Sequence, residues 1–515
     1  MPNWSFLNSG LLLNGLTATS YVNETQFSTG YPACDSIIHA GLADRLLLPT
    51  DTEYAARISG GGTGYWSWNS RQHPFCIVQP RSAEEVSKVV TALLEAGDGS
   101  GDWHIAVRAG GHSTGGFNNI DNGVTIDLGN LNDTTYDEHT NTASIGAGAH
   151  WVNVYHELDK HGVLVTGGRD GHVGVGGFLL GGGSTYFMGT HSFACDSIKN
   201  YEIVLADGRI INANKDENAD LWKALKGGGA NFGIVTRFDM EALPNTKLAY
   251  RVRLMSFEHH KRLAKDFVDF TNTYEDHPND ALVFFMRGAP KLKQSLMGAL
   301  QVNTEGKTEG TGLAKIDEVP HLPIPNTGSY EIKSLYESAL HPLAGDQWAA
   351  QATICFANRQ ELVEKGIQYH EQLVQDLKQT VGNNFTTYFF FQPIPTHAAK
   401  ISEQKGGNVL GLDNAADHAV LFTATALVLT SQHDKVIAQA KINSLVTTLK
   451  RDSQELGGNV DLVYMNYADS AQDPLGSYGA KNVEFLTKVA QQYDPEGLFQ
   501  TRFPLGFKIS RTNKL

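Results

Sequence analysis

The sequence predicts an α+β fold in two parts, and three observations carry that reading. Short strand and helix signals alternate between dense glycine groups in the first half of the chain. Near Thr246 the character changes to long amphipathic helices set among apolar strands. The 515 residues also exceed what one hydrophobic core usually supports. In the first part, periodicity predicts helices over 83–96, 151–161 and 219–225, with strands over 104–108, 124–128 and 202–205. Beyond it the pattern predicts helices over 259–274, 359–381 and 432–456 and strands over 281–286, 349–356, 387–391 and 419–429. Strands spaced by long helices suit an antiparallel sheet covered on one face. A strand over 461–467 and a helix over 482–493 close the chain, and no internal repeat is present.

Composition excludes several function classes. An apolar share of 41% and an aromatic share of 10% are those of an ordinary globular protein. A net charge of −14 argues against nucleic acid, which is met by clustered Lys and Arg. The apolar run at 11–13 is far too short to span a bilayer. No basic and apolar leader opens the sequence. With sequons at Asn3, Asn23, Asn132 and Asn384, the expectation is a secreted glycoprotein in its mature form, with a cytoplasmic protein as the alternative. Cys34 and Cys76 flank a polar stretch and can close a disulfide, whereas Cys195 and Cys355 sit in apolar runs and read as buried thiols. No Cys/His cluster has zinc spacing, so no metal is expected.

The glycine groups carry the chemistry. Arg108-Ala109-Gly110-Gly111-His112-Ser113-Thr114 follows a strand and offers consecutive backbone N–H groups at close range, as a pyrophosphate needs. By itself the run also suits a glycine turn with a solvent-facing histidine. It is neither a Rossmann fingerprint nor a P-loop. A second glycine run covers 171–183, followed by Asp196-Ser-Ile and by Glu202-Ile-Val-Leu-Ala-Asp-Gly208. Further blocks follow in order: Cys76-Ile-Val-Gln-Pro-Arg-Ser-Ala-Glu-Glu-Val86, Asp220-Leu-Trp-Lys-Ala-Leu-Lys-Gly-Gly-Gly229, Asn231-Phe-Gly-Ile-Val-Thr236, Tyr464-Met-Asn-Tyr-Ala-Asp469 and Tyr493-Asp-Pro-Glu-Gly-Leu-Phe-Gln500.

With these blocks the sequence resembles the berberine-bridge-enzyme-like branch of the vanillyl-alcohol-oxidase flavoprotein family, over about 34–245 and 455–509. The resemblance implies a two-part FAD-binding domain, 34–245 and 456–515, with a substrate domain, 246–455, inserted between. It implies FAD bonded covalently through His112 and held by residues 108–114, by Asp170, Gly171, Val173, Gly174, Gly176, Gly177, Gly182 and Gly183, and by Ile234 and Asn466. Many relatives add a cysteinyl tether where this chain has Asp170, so a single link and a more open site are expected. Phe178 stands where many relatives carry histidine. Val173 matches the position beside flavin C4a, where valine is typical of members that use oxygen.

Flavin accepts a hydride, so the protein must place a substrate C–H over the ring and take a proton from any hydroxyl being oxidised. The family pattern points to Tyr467 as that base, with Tyr464 beside it; either can instead be a core aromatic. On a strand the two tyrosines face opposite ways, so both reach the ring only if a bulge or bend intervenes. In the inserted part, Gln392 and Gln351 are candidates on one sheet face, while most aromatics of 388–391 are expected to pack in the core. The expected partners are a small organic substrate, an alcohol, amine or sugar hydroxyl, and O2, with the chain acting as a monomer. The leading reading is an oxidase that makes peroxide. The alternatives are a dehydrogenating or ring-closing enzyme of specialised metabolism and an FAD-binding protein without turnover.

Overall fold

A computed structural model describes residues 28–60, 64–96, 103–340 and 345–512. The sequons at Asn3 and Asn23, the apolar run at 11–13 and part of the glycine group at 59–64 lie outside the described residues. Asn132 and Asn384 are exposed.

Three main sheets follow one another along the described residues. The first has four strands in the order Leu46–Leu47, Cys76–Val78, Val124–Asp127, Ile105–Arg108, the last three parallel. The second is a five-stranded antiparallel sheet ordered Thr134–Asp137, Thr142–Gly146, Ile234–Glu241, Ile198–Val204, Ile210–Asn214. One apolar core joins both sheets and includes Leu486, Val489, Phe499 and Phe503 from the C-terminal segment. The C-terminal helix Ala480–Tyr493 therefore packs with the first half of the chain.

The third sheet has eight antiparallel strands: Glu331–Lys333, Leu248–Met255, Leu296–Asn303, Asp280–Gly288, Phe385–Ile394, Ala419–Val428, Trp348–Ala357 and Asn459–Val460. Its covered face meets the helices His260–Asn272, Gln360–Thr380 and Gln432–Glu455 in a second core. Gln360–Thr380 shows why: Leu362, Val363, Gly366, Ile367, His370, Leu373, Val374 and Leu377 recur at helical spacing and are all buried. Along Phe385–Ile394 the strand period sends Phe385, Phe389 and Phe391 into this core. Tyr388, Phe390 and Gln392 point to the opposite face. Helix ends fall within about two residues of the sequence expectation, the usual uncertainty of a fraying turn.

The expected strand over 461–467 is not formed. Only Asn459–Val460 pairs, with Cys355 and Phe356, and the carbonyl of Leu462 then accepts from Cys355 N. Further along the same edge, side chains replace the backbone. Gln472 exchanges hydrogen bonds with both backbone groups of Thr353, and Gln439 does the same at Gln351. With its ladder positions filled by glutamine amides, the segment after Leu462 leaves the sheet and winds into a 3₁₀ turn at Met465–Tyr467. That turn is the irregularity needed to bring both tyrosines to one side.

Cys34 and Cys76 are bonded, tying the helix Pro32–His39 to the strand Cys76–Val78, and Cys195 and Cys355 are free and buried. Closing a 42-residue separation contributes about 4 kcal/mol in the chain-entropy account. Replacing both cysteines by serine is expected to lower the unfolding free energy by about 2–4 kcal/mol, read by denaturant titration. A loss below about 1 kcal/mol would show that the unfolded chain gains little freedom from the cut. Among the described residues no helix is long and apolar enough to cross a membrane, and no cluster of His, Cys, Asp and Glu suits a metal.

Candidate active site

Two glycine loops meet backbone to backbone at Gly110 and Gly174. A side chain on Gly110 would overlap the backbone of Gly174, and one on Gly174 would overlap Gly110. Gly111, at φ +72°, adopts a turn that favours glycine. The loops border a cavity of about 480 Å³, within the range of small-molecule sites. Ala109 to Thr114, Asp170, Val173, Gly174, Gly176, Gly177, Ile234 and Asn466 all line it, as do Tyr464, Tyr467 and Gln351.

Four expected cofactor contacts are placed elsewhere. Arg108 is turned away to hold Asp127 Oδ2 at 3.0 Å and the Gly64 carbonyl at 3.0 Å, a buried pair that fixes the base of the loop. Gly171 donates to the Ala339 carbonyl, and Gly182 and Gly183 use their carbonyls to receive Cys195 N and Ala194 N. These four shape the loops without facing the cavity. Gln392 does not line it either; its side chain reaches the site through Arg169.

His112 stands at one end of the cavity, its ring stacked on Trp66 with centroids 4.8 Å apart. Its Nε2 is sealed from solvent and has no hydrogen-bond partner among the described residues. Burial pushes its pKa below the usual histidine value, opposed by the nearby Asp170 carboxylate, so the neutral ring is favoured. Asp170 itself accepts from His172 N at 2.9 Å within its own turn. Phe178 packs edge-on against Trp151, 5.2 Å between centroids, so an apolar ring occupies the place of the absent imidazole.

The 3₁₀ turn delivers its side chains to the same cavity with different duties. Tyr464 is buried, and its oxygen accepts from Ser184 N at 2.8 Å and from Asn466 Nδ2 at 3.0 Å. Asn466 also donates to the Phe178 carbonyl, which ties the turn to the second glycine loop. Burial pushes the Tyr464 phenol well above the ordinary tyrosine value, so it is a poor base. Tyr467 is half-buried and lies edge-on to Tyr464, and its oxygen accepts from Arg169 Nη2 at 3.0 Å. The same Nη2 donates to Gln392 Oε1. Arg169 was not singled out from the sequence, although it directly precedes Asp170 and lines the cavity.

Comparison with known proteins agrees with this geometry. An FAD binding domain family matches residues 74–214. The FAD-dependent monooxygenase drtC of Aspergillus calidoustus is 33% identical over 492 residues, covering 93% of this chain and 90% of that protein. Glucooligosaccharide oxidase from Acremonium strictum, a 6-S-cysteinyl, 8α-N1-histidyl FAD protein, has a similar fold: TM-score 0.74, 18% identity, 93% of this chain and 99% of that one. Berberine bridge enzyme matches at TM-score 0.70 and 16% identity over 92% of this chain and 98% of that one. The chain belongs to the family of FAD-dependent enzymes that includes drtC, and its fold is that of vanillyl-alcohol-oxidase-type flavoproteins. As a member of that family it is an FAD-linked oxidoreductase. The residues present fit the cofactor: touching glycine loops leave backbone free to approach a diphosphate, and a histidine with an unpartnered ring nitrogen lines the same cavity.

Proposed function

We propose that this protein is an oxidase of a small organic substrate, an alcohol, amine or sugar hydroxyl, with O2 as electron acceptor and H2O2 as product. Residues 34–245 and 456–515 form the FAD-binding part, and 246–455 the substrate part. FAD, when bound and attached through His112, supplies two-electron acceptance from a substrate C–H and passes the electrons to oxygen. The observation that carries the reading is the Arg169–Tyr467 hydrogen bond at the edge of the glycine cradle. Tyr467 is the group that takes the substrate's proton, and negative charge developing on its oxygen is met by the guanidinium. Gln392 holds Arg169 in place from the substrate sheet. Gln351, half-buried on the strand Trp348–Ala357 two places along the same sheet, offers an amide to the substrate. Tyr464 and Asn466 hold the turn. The Cys34–Cys76 bond and the exposed sequons support an oxidising, secretory environment.

A panel of alcohols, sugars, phenols and amines scored by peroxide release tests this reading; turnover only with artificial dyes would overturn it. Val173 lines the cavity and is expected to leave oxygen a path that a longer side chain would narrow. Val173→Leu should slow reoxidation in air roughly tenfold, the factor given by about 1.4 kcal/mol of added barrier. Unchanged reoxidation would remove Val173 from the oxygen path. The relatives' designation as monooxygenases favours a second reading, oxygen insertion into the substrate. Product formed under ¹⁸O2 separates the two, since an oxidase leaves the label in peroxide.

A further inference from the structure

Lys508 is a buried cation in a cavity wall to which nothing so far has given a task. Its residue is 3% exposed, and it lines the same cavity as the glycine loops. The backbone on both sides is pinned by Asn231, whose Nδ2 donates to the Phe507 carbonyl at 3.0 Å and whose Oδ1 accepts from Ile509 N at 3.2 Å. Gln500 Nε2 donates to the same Oδ1 at 3.1 Å, so the segment is held firmly. The ammonium spends one donor on the Ala230 carbonyl, 2.7 Å away. Among the described residues no carboxylate forms an ion pair with it. Asp494 is occupied in accepting from Leu498 N and Phe499 N, and Arg511 adds repulsion.

Burial, with Arg511 adding repulsion, drags Lys508 down to about 7, more than the nearby Asp494 carboxylate restores. Buried charges are normally paired, so a partner is missing, and the cavity is where it would enter. The chemistry identifies it: a buried cation needs an anion, and the anionic part of a dinucleotide in the cavity lined by the glycine loops is its diphosphate. Gly229, beside Ala230, lies against the Met465 side chain of the turn that carries Tyr467, whereas Phe499 and Phe503, stacked at 4.5 Å, line the apolar end. Lys508 lines the cavity together with both groups, and its ammonium is held at Ala230, next to Gly229. We infer that Lys508 is the charge partner of the diphosphate of the bound dinucleotide, supplying the charge-assisted contact that glycine backbone cannot.

The inference rests on the family's FAD and not on the histidyl bond or on Tyr467. Its test uses full-length His112→Ala protein stripped of flavin, or the stripped wild type if the flavin is not covalent, titrated calorimetrically with FAD, ADP and adenosine. Lys508→Met should weaken FAD and ADP by at least about 10-fold, the scale of a lost hydrogen bond to a charged group, and leave adenosine within about twofold. Lys508→Arg should keep most of the ADP affinity. ADP binding unchanged in Lys508→Met overturns the inference. Weakened FAD with unchanged ADP also overturns it and assigns the charge to the flavin ring. Should Lys508→Met fail to fold, Lys508→Gln replaces it, and ADP affinity equal to that of the lysine parent is again decisive against.

Discussion

Tyr467→Phe is expected to slow reduction of the bound flavin by an alcohol substrate by about 10²–10⁴, the usual contribution of a positioned general base. The phenol oxygen lies in the cavity within 3.0 Å of Arg169, whereas the Tyr464 oxygen is already accepting from Ser184 and Asn466. Flavin content should stay near wild type, because the substitution removes one oxygen and keeps the edge-on ring contact with Tyr464. Arg169→Met should lower the same rate, yet add little in a Tyr467→Phe background, since both changes disable one unit. Stopped-flow reduction measures all three variants. A loss below about threefold for Tyr467→Phe, with folding intact, would set it well under the general-base range and move the search to Gln351 and Gln392.

The second large effect concerns attachment. Wild-type protein should remain yellow after acid precipitation, and His112→Ala should release all of its flavin to the supernatant. His112 lines the cavity and carries a buried, unpartnered Nε2, and burial lowers its pKa below the ordinary midpoint near 6.5, which favours the neutral ring. The sign follows: a lowered pKa extends the neutral, nucleophilic form toward acid. Apoprotein mixed with FAD should therefore lose less than half of its rate of acquiring acid-stable flavin between pH 7.5 and pH 6.5. Complete loss of flavin from wild-type protein in acid would refute the covalent bond. A rate halved at pH 6.5 would refute the neutral ring. Asp170 in place of a cysteine leaves His112 as the single expected tether.

How much of this was legible in the sequence depended on what each residue encodes locally. Gly110 and Gly174 could be read because dense glycine signals close backbone approach, and the contact between them is that approach. The alternation at 388–392 sorted Gln392 from the core phenylalanines because a strand has period two. Arg169 carried no such signal; a lone arginine reads as surface until the turn at Met465–Tyr467 is folded against it. Lys508 was missed for the same reason. The hairpin Thr134–Asp137 and Thr142–Gly146 was not anticipated, since its exposed Asp137, Glu138 and His139 obscure any apolar alternation. The strand expected over 461–467 failed because the backbone groups it would have paired with, at Thr353 and Gln351, are taken by the side chains of Gln472 and Gln439.

The two glutamine amides at the edge of Trp348–Ala357 have a consequence for how such a site can diversify. Gln472 and Gln439 satisfy the open backbone groups of Thr353 and Gln351, so the sheet is complete without any pairing from residues 463–467. A segment bound into a ladder can shift only by whole register steps, each of which turns every side chain to the opposite face. The segment bearing Tyr467 is free of that constraint. Small changes in its sequence can re-aim the phenol by fractions of a residue while the eight-stranded sheet behind it keeps its pairing, so the Tyr467 side chain and the scaffold can evolve at different rates.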